Sequence, residues 1–217
     1  MNNFFGKNSA FLIPYVLFLI AGSILFGLYS KAEIHLMLNS RHNAFGDFFF
    51  PYITYLGDGV TVIAAVMLLL LVRYRFALLL ALSNLLSAGI TQLLKHTLFA
   101  DVVRPKEYFK NILDIHYVEG VENYLYNSFP SGHTTAAFTT CFCISLMTEN
   151  RLLKFLMFVM ALTIGFSRVY ISQHFFNDIY AGSLIGVSAT MVVYAFIRKS
   201  SRINSLSWID SALTKRN

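Results

Sequence analysis

A chain of 217 residues with 56% hydrophobic and only 13% charged residues carries about half the charge of a soluble domain, where Asp, Glu, Lys and Arg make up roughly a quarter. That composition excludes an ordinary water-soluble enzyme, and the length suits one domain. The net charge of +6 does not point to nucleic acid, because the basic residues fall at the ends of apolar segments rather than in one stripe with interleaved aromatics.

In chain order, residues 1–9 are a polar lead with Lys7. The uncharged run 10–29 is long enough to span a bilayer. It is too long for a signal-peptide core and no small-residue cleavage site follows, so it reads as a retained first span. The loop 30–49 is polar and aromatic, and Glu33 to Asn39 suit a short helix at the interface. A second span covers 50–72, with Asp58-Gly59 near its outer end, and Arg73 and Arg75 make a basic turn. The third, 76–99, carries Lys95 and His96 near its end. The loop 100–130 is the longest polar segment, rich in acids and tyrosine. Spans at 131–147, 152–170 and 177–197 follow, the last two joined by the loop 171–176. Arg198, Lys199 and Arg202 stop the last span, and a polar tail holds Trp208. Cys141 and Cys143 lie two apart in an apolar run, where helical geometry points them away from each other. The sequence thus predicts a single all-α domain over 1–217, an integral membrane bundle of six transmembrane helices.

Six spans put both termini on one side, together with Lys7, Arg73, Arg75, Arg151, Lys154, Arg198, Lys199, Arg202, Lys215 and Arg216, opposed only by Glu149 and Asp210. The other side holds seven Lys or Arg against nine Asp or Glu. The excess of Lys and Arg marks the cytoplasmic side. The outward side then holds every residue suited to chemistry.

Those residues fall in three segments. Between Ser167 and Asp178, His174 and Asp178 stand four apart, so a helical turn brings imidazole and carboxylate together, and Arg168 adds a forked donor for phosphate. Pro130-Ser131-Gly132-His133 opens a span, where unpaired helix N–H groups and a glycine admit an anion. Lys95 and Arg104-Pro105 supply further fixed positive charge. Displacement at phosphorus needs a nucleophile and a proton donor. His174, supported by Asp178, suits the first role as a phosphohistidine former. His133 suits the second, as general acid and then base.

The three motifs, in order, resemble the type 2 phosphatidic acid phosphatase superfamily, with its Lys-x6-Arg-Pro, Pro-Ser-Gly-His and Ser-Arg-x5-His-x3-Asp. The second and third match residue for residue. In the first, eight residues rather than six separate Lys95 from Arg104, a difference that a longer helix end or a bulge absorbs. The resemblance covers about Lys95 to Asp178 and implies the same roles for His174, His133 and Asp178. It implies phosphate binding by Lys95, Arg104, Ser131, Gly132 and Arg168, with no metal and no cofactor. One His-x3-Asp pair and a distant histidine are thin as a metal set.

Other residues read as structural. Ser131 caps its helix as well as facing the anion. Ser167 divides evenly between phosphate contact and a local cap. His96 points to another face, and His35, His42 and His116 read as solvated or headgroup-contacting. Tyr170 reads as packing, Asn177 as a helix cap, Asp58 as a structural acid near the interface, and the phenylalanines as lipid-facing.

The expected function is a membrane lipid phosphatase. The resemblance implies phosphatidic acid, phosphatidylglycerol phosphate, undecaprenyl pyrophosphate or lipid A phosphates as candidate substrates. The loop from Ala100 to Phe129, with the short helix near Glu33, is the expected selector. The alternatives are a phosphotransferase on the same fold and a non-enzymatic transporter or lipid-binding protein. The bilayer is the expected partner, with no nucleic acid and the oligomeric state left open. The expected location is a bacterial inner membrane with the site facing the periplasm.

Overall fold

The structure is a computed structural model that describes residues 4–214; Lys215 and Arg216, counted in the charge balance, lie outside the described residues. The apolar runs fold as helices throughout. They are α1 (Phe4–Leu28), α2 (Lys31–Asn39), α3 (Ala44–Ile53), α4 (Gly59–Val72), α5 (Tyr74–Thr97), α6 (Pro105–Phe109), α7 (Gly132–Leu146), α8 (Arg151–Tyr170), α9 (Phe176–Lys199) and α10 (Ser201–Asn204). The short interfacial helix exists as α2. Its start is set by a capping box, in which the Ser30 hydroxyl accepts from the Glu33 N–H and the Glu33 carboxylate accepts from the Ser30 N–H.

The second predicted span starts earlier than 50 and is not one rod. A 3-10 turn, Thr54–Gly57, separates α3 from α4, and the pair is bent by 55°. The cause lies in Asp58, whose backbone is extended and whose carboxylate accepts the Val60 N–H, so it starts a new helix instead of continuing the old one. Among the described residues four helices, α1, α5, α8 and α9, are long and apolar enough to cross a membrane, and the bent pair makes five if it counts as one span. The fourth predicted span, α7, has 15 residues and spans about 22 Å. It is short because Pro130 and Ser131 start it at the depth of the site and Met147 ends it.

α7 is the axis of the bundle, packed against α5, α8 and α9. Its buried positions include Phe138, Cys141, Phe142 and Cys143, and both cysteines are free. Hydroxyls on its other side face α5 and their own backbone: Thr139 donates to the Thr135 carbonyl at 2.7 Å, and its oxygen lies 3.0 Å from the Ser87 hydroxyl of α5. The crossing with α9 is closer than a side chain permits. A Cβ at Gly186 would stand 2.7 Å from the Thr135 carbonyl oxygen, and one at Gly182 would stand 2.8 Å from that of Ser131. α1 lies on α8, with Phe11 in the aromatic core against Phe142 and Phe158. Near the opposite end of the bundle the buried Lys154 of α8 donates to the Asn8 carboxamide of α1 at 2.6 Å. The tail folds back onto the turn between α4 and α5, where Arg75 grips Asp210 with two hydrogen bonds.

Candidate active site

His174 sits in the turn between α8 and α9, and Asp178 sits on the first turn of α9. Their spacing of four brings His174 Nδ1 to 3.1 Å from Asp178 Oδ2. The same carboxylate oxygen accepts the Phe175 N–H at 3.0 Å and the hydroxyl of Ser128. A carboxylate held by three donors does not rotate, and it keeps the proton of the imidazole on Nδ1. The other ring nitrogen, Nε2, therefore presents its lone pair, and Arg104 Nη1 stands 3.4 Å from it.

Arg104 is held rigidly although it follows the irregular motif. α5 ends at Thr97, and the turn from Leu98 to Asp101 takes up the extra residues. Its guanidinium then donates to the carbonyls of Tyr126 at 2.8 Å and Gln173 at 3.0 Å, and to the Gln173 side chain at 3.0 Å. Arg168 is tied on one side only. Its Nη1 donates to Thr54 at 2.9 Å, while the buried Nε has no partner among the described residues. Its carbonyl accepts the N–H groups of Gln173 and His174, which closes the turn around Ser172 in the left-handed region at φ 55°.

The start of α7 completes the site. Ser131 is fully buried, accepts from Thr134, and donates its own N–H to the Asp178 carbonyl at 3.0 Å. Gly132 has open space where a Cβ would stand, so an anion can approach its backbone. His133 lies within electrostatic reach of Arg168, Lys95 and Arg104, and its Nε2 is 4.0 Å from Asp58 Oδ2. Lys95, near the end of α5, lies within reach of Arg104, Arg168 and Asp178. Three cations and two histidines thus lie within electrostatic reach of one another, and burial together with those cations holds His174 well below the usual histidine range.

All eight residues singled out by the motifs gather here, and the structure adds three that sequence reasoning passed over, together with Asp58, which it read as a structural acid. Ser128 holds Asp178, Thr54 holds Arg168, Gln173 holds Arg104, and Asp58 stands by His133 as well as capping α4. Gln173 had a signal, being next to His174 inside the motif; Asp58 had one as an acid in an apolar run; the two hydroxyls had none.

Several expectations are corrected. His35 is not solvated: it is buried under Phe109 and Phe175, with Nε2 3.3 Å from the Ser172 hydroxyl. His42 is largely covered, packed on Tyr170 and bound to Asp47, whereas His116 stays half exposed, as expected for a solvated residue, while also reaching Asp47. Tyr170 packs as expected and also donates its hydroxyl to Asp47. Ser167 donates to the Ile164 carbonyl at 2.6 Å, a local backbone bond. Asn177 does not cap α9, whose N-cap is Phe175.

Comparison with known proteins shows the family and the fold. Residues 76–202 match the PAP2 superfamily. The chain is 34% identical over 86 residues to the bacitracin transport permease protein BcrC of Bacillus licheniformis, an alignment covering 40% of this chain and 41% of that one. The crystal structure of Aquifex aeolicus LpxE superposes with a TM-score of 0.66 at 28% identity, over 76% of this chain and 94% of that one. A PAP2-type phosphatidylglycerolphosphate phosphatase from Bacillus subtilis superposes with a TM-score of 0.58 at 20% identity, over 91% and 98% of the two chains, and shows the shared fold.

Proposed function

Because the chain belongs to the PAP2 superfamily, we propose that it hydrolyses the phosphomonoester or pyrophosphate of a bilayer-anchored lipid through a phosphohistidine on His174. The observation that carries this reading is the orientation of His174: Nδ1 faces Asp178 and Nε2 faces the guanidinium of Arg104. A phosphoryl group bound by Arg104, Arg168, Lys95 and the N–H groups at Gly132 would present phosphorus to Nε2. Nε2 forms the bond to phosphorus while the bond to the leaving oxygen breaks, and His133 donates a proton to that oxygen. His133 then takes a proton from water, whose oxygen attacks phosphorus and releases inorganic phosphate, restoring neutral His174. Asp178 stabilises the imidazolium character that Nδ1 gains in the first step. The cationic side chains supply the charge stabilisation, so the reaction proposed here needs no metal.

A lipid substrate fits the surroundings. Phe45, Phe48, Tyr52 and Tyr55, on the segment that carries Thr54 beside Arg168, are all more than 60% exposed, as aromatic residues at a headgroup layer are. In this reading α7 is the remaining span, shielded by its neighbours, and both termini lie on the cytoplasmic side with the site outward. Phosphatidic acid, phosphatidylglycerol phosphate, undecaprenyl pyrophosphate and lipid A phosphates make up the substrate panel.

The test is phosphate release by purified protein in detergent with EDTA, across lipid phosphates, beside a His174→Ala variant. Release from one lipid class that vanishes in the variant supports the reading and names the substrate. Turnover that persists in His174→Ala, or that stops in EDTA, overturns the mechanism.

A further inference from the structure

His42 precedes α3, Asp47 lies on its first turn, and His116 belongs to the long loop after α6. Their side chains meet: His42 Nδ1 is 2.9 Å from Asp47 Oδ1, His116 Nε2 is 3.1 Å from Asp47 Oδ2, and the candidate ligand atoms all lie within 4.8 Å of one another. We propose that these three residues bind a divalent transition-metal cation, zinc being the best fitted, which clips the loop after α6 to the start of α3.

Two imidazoles and a carboxylate are zinc ligands at about 2.0–2.2 Å, so neighbouring ligand atoms in a tetrahedral site stand about 3.3 Å apart. Each imidazole already stands at about that distance from the Asp47 carboxylate, His42 from Oδ1 and His116 from Oδ2. Rotation of His116, whose side chain is half exposed, brings both rings onto a cation held by one of these oxygens, and the exposed side leaves the fourth position to water.

The surroundings are those of a supported site. Tyr170 donates its hydroxyl to Asp47 Oδ1 at 2.9 Å, and its ring stacks on His42 at 4.0 Å. Asn39, at the end of α2, fixes the backbone of His116 from both sides, donating to its carbonyl at 2.8 Å and accepting its N–H at 3.0 Å. Ligands held in this way lose little freedom when a cation arrives. Ligation through His42 Nδ1 moves that ring's proton to Nε2 and gives up a long 3.4 Å approach to the Asn39 amide. One carboxylate lies between the two imidazoles, whose ring centroids are 4.2 Å apart. A cation satisfies all three groups at once. None of the three hydrogen-bonds to His174, His133, Lys95 or Arg104 among the described residues, so the clip is separate from the phosphoryl chemistry.

The test uses full-length, tag-free protein in detergent, stripped with EDTA and desalted. After addition of Zn2+ and a second desalting, the parent should retain one zinc per chain, and His116→Ala and Asp47→Asn should each retain roughly ten-fold less or lower still. With Co2+ in place of Zn2+ the parent should show the visible bands of a tetrahedral site. His116→Cys should keep them and add a near-ultraviolet thiolate-to-cobalt band that identifies position 116 as a ligand. Zinc should also slow tryptic cleavage at Lys106 and Lys110 in the parent and leave it unchanged in His116→Ala. The gel-filtration profile in EDTA reports whether each variant is folded; if His116→Ala is not, the spectra of the parent and His116→Cys decide. A parent that retains no zinc, or a His116→Cys protein with bound cobalt but no thiolate band, overturns the proposal, leaving a hydrogen-bonded cluster only.

Discussion

A histidine attacks phosphorus only while it is neutral. Burial first, then the positive charges of Arg104, Arg168 and Lys95, hold the pKa of His174 well below its ordinary value of 6.5. The nucleophile therefore stays unprotonated as the medium becomes acid, and the acid limb of kcat/KM for phosphate release should lie below pH 6.5. Arg104→Gln removes a positive charge 3.4 Å from Nε2, so His174 becomes easier to protonate. In that variant the acid limb should move to higher pH while kcat falls by roughly 10²–10³-fold; an unmoved limb would mean that the limb belongs to another group. Asp178→Asn loses the carboxylate that fixes the proton on Nδ1, and kcat should fall by roughly 10³–10⁴-fold with a much smaller change in KM. Lys95, Arg104, His133 and His174 were legible because their spacing is set by local chain geometry. Thr54 and Ser128 were not, because a hydroxyl that acquires its role from a distant partner leaves no pattern in the sequence around it.

At the scale of elements, the helices could be read from apolar length, but their interruptions could not. The run from 50 to 72 is apolar enough to read as one segment, and the Asp58-Gly59 pair was the hint that one carboxylate would end a helix turn and begin another. α7 was placed correctly yet read as an ordinary span, although its threonines and serines are those of a helix surrounded by protein. Its crossing with α9 depends on missing side chains. Gly186→Ala pushes a methyl against the Thr135 backbone at 2.7 Å, which cannot yield as a flexible side chain would. It should cost about 1–3 kcal/mol. At Gly89 of α5 nothing stands within 4 Å of the same methyl, and Gly89→Ala should be neutral or stabilising by up to about 1 kcal/mol. Thermal inactivation half-lives in detergent compare the two, since membrane proteins of this kind seldom unfold reversibly. Equal half-lives would show that the helix crossing adjusts.

For the molecule as a whole, pH stability turns on a histidine that the sequence left in solvent. His35 on α2 is buried under aromatic rings, and desolvation followed by the charge of His42 lowers its pKa to about 4. The unfolded chain binds this proton near pH 6.5 and the folded one only near 4. Stability should therefore be full above pH 6.5 and decline as the pH falls toward 4, by up to about 3 kcal/mol from this group. His35→Gln should flatten the fall of the thermal midpoint between those pH values, whatever it does to the midpoint at pH 7. The family and its three motifs were visible in the chain because they are contiguous. The environment of His35 and the meeting of His42 with His116 were not, because each depends on segments far apart that only the folded bundle brings together.

The bond between Asn8 and Lys154 has a consequence for how the protein is made. At roughly 5–20 residues per second, the ribosome supplies Lys154 about 7–30 seconds after Asn8, which is 146 residues earlier. For that interval the first span waits with its carboxamide lacking the lysine, and Phe11 lacks the rings of Phe142 and Phe158. The nascent chain must therefore keep α1 beside the insertion machinery, or in reach of it, until α8 emerges. Truncation before residue 154 should leave a first helix that enters the bilayer yet cannot dock.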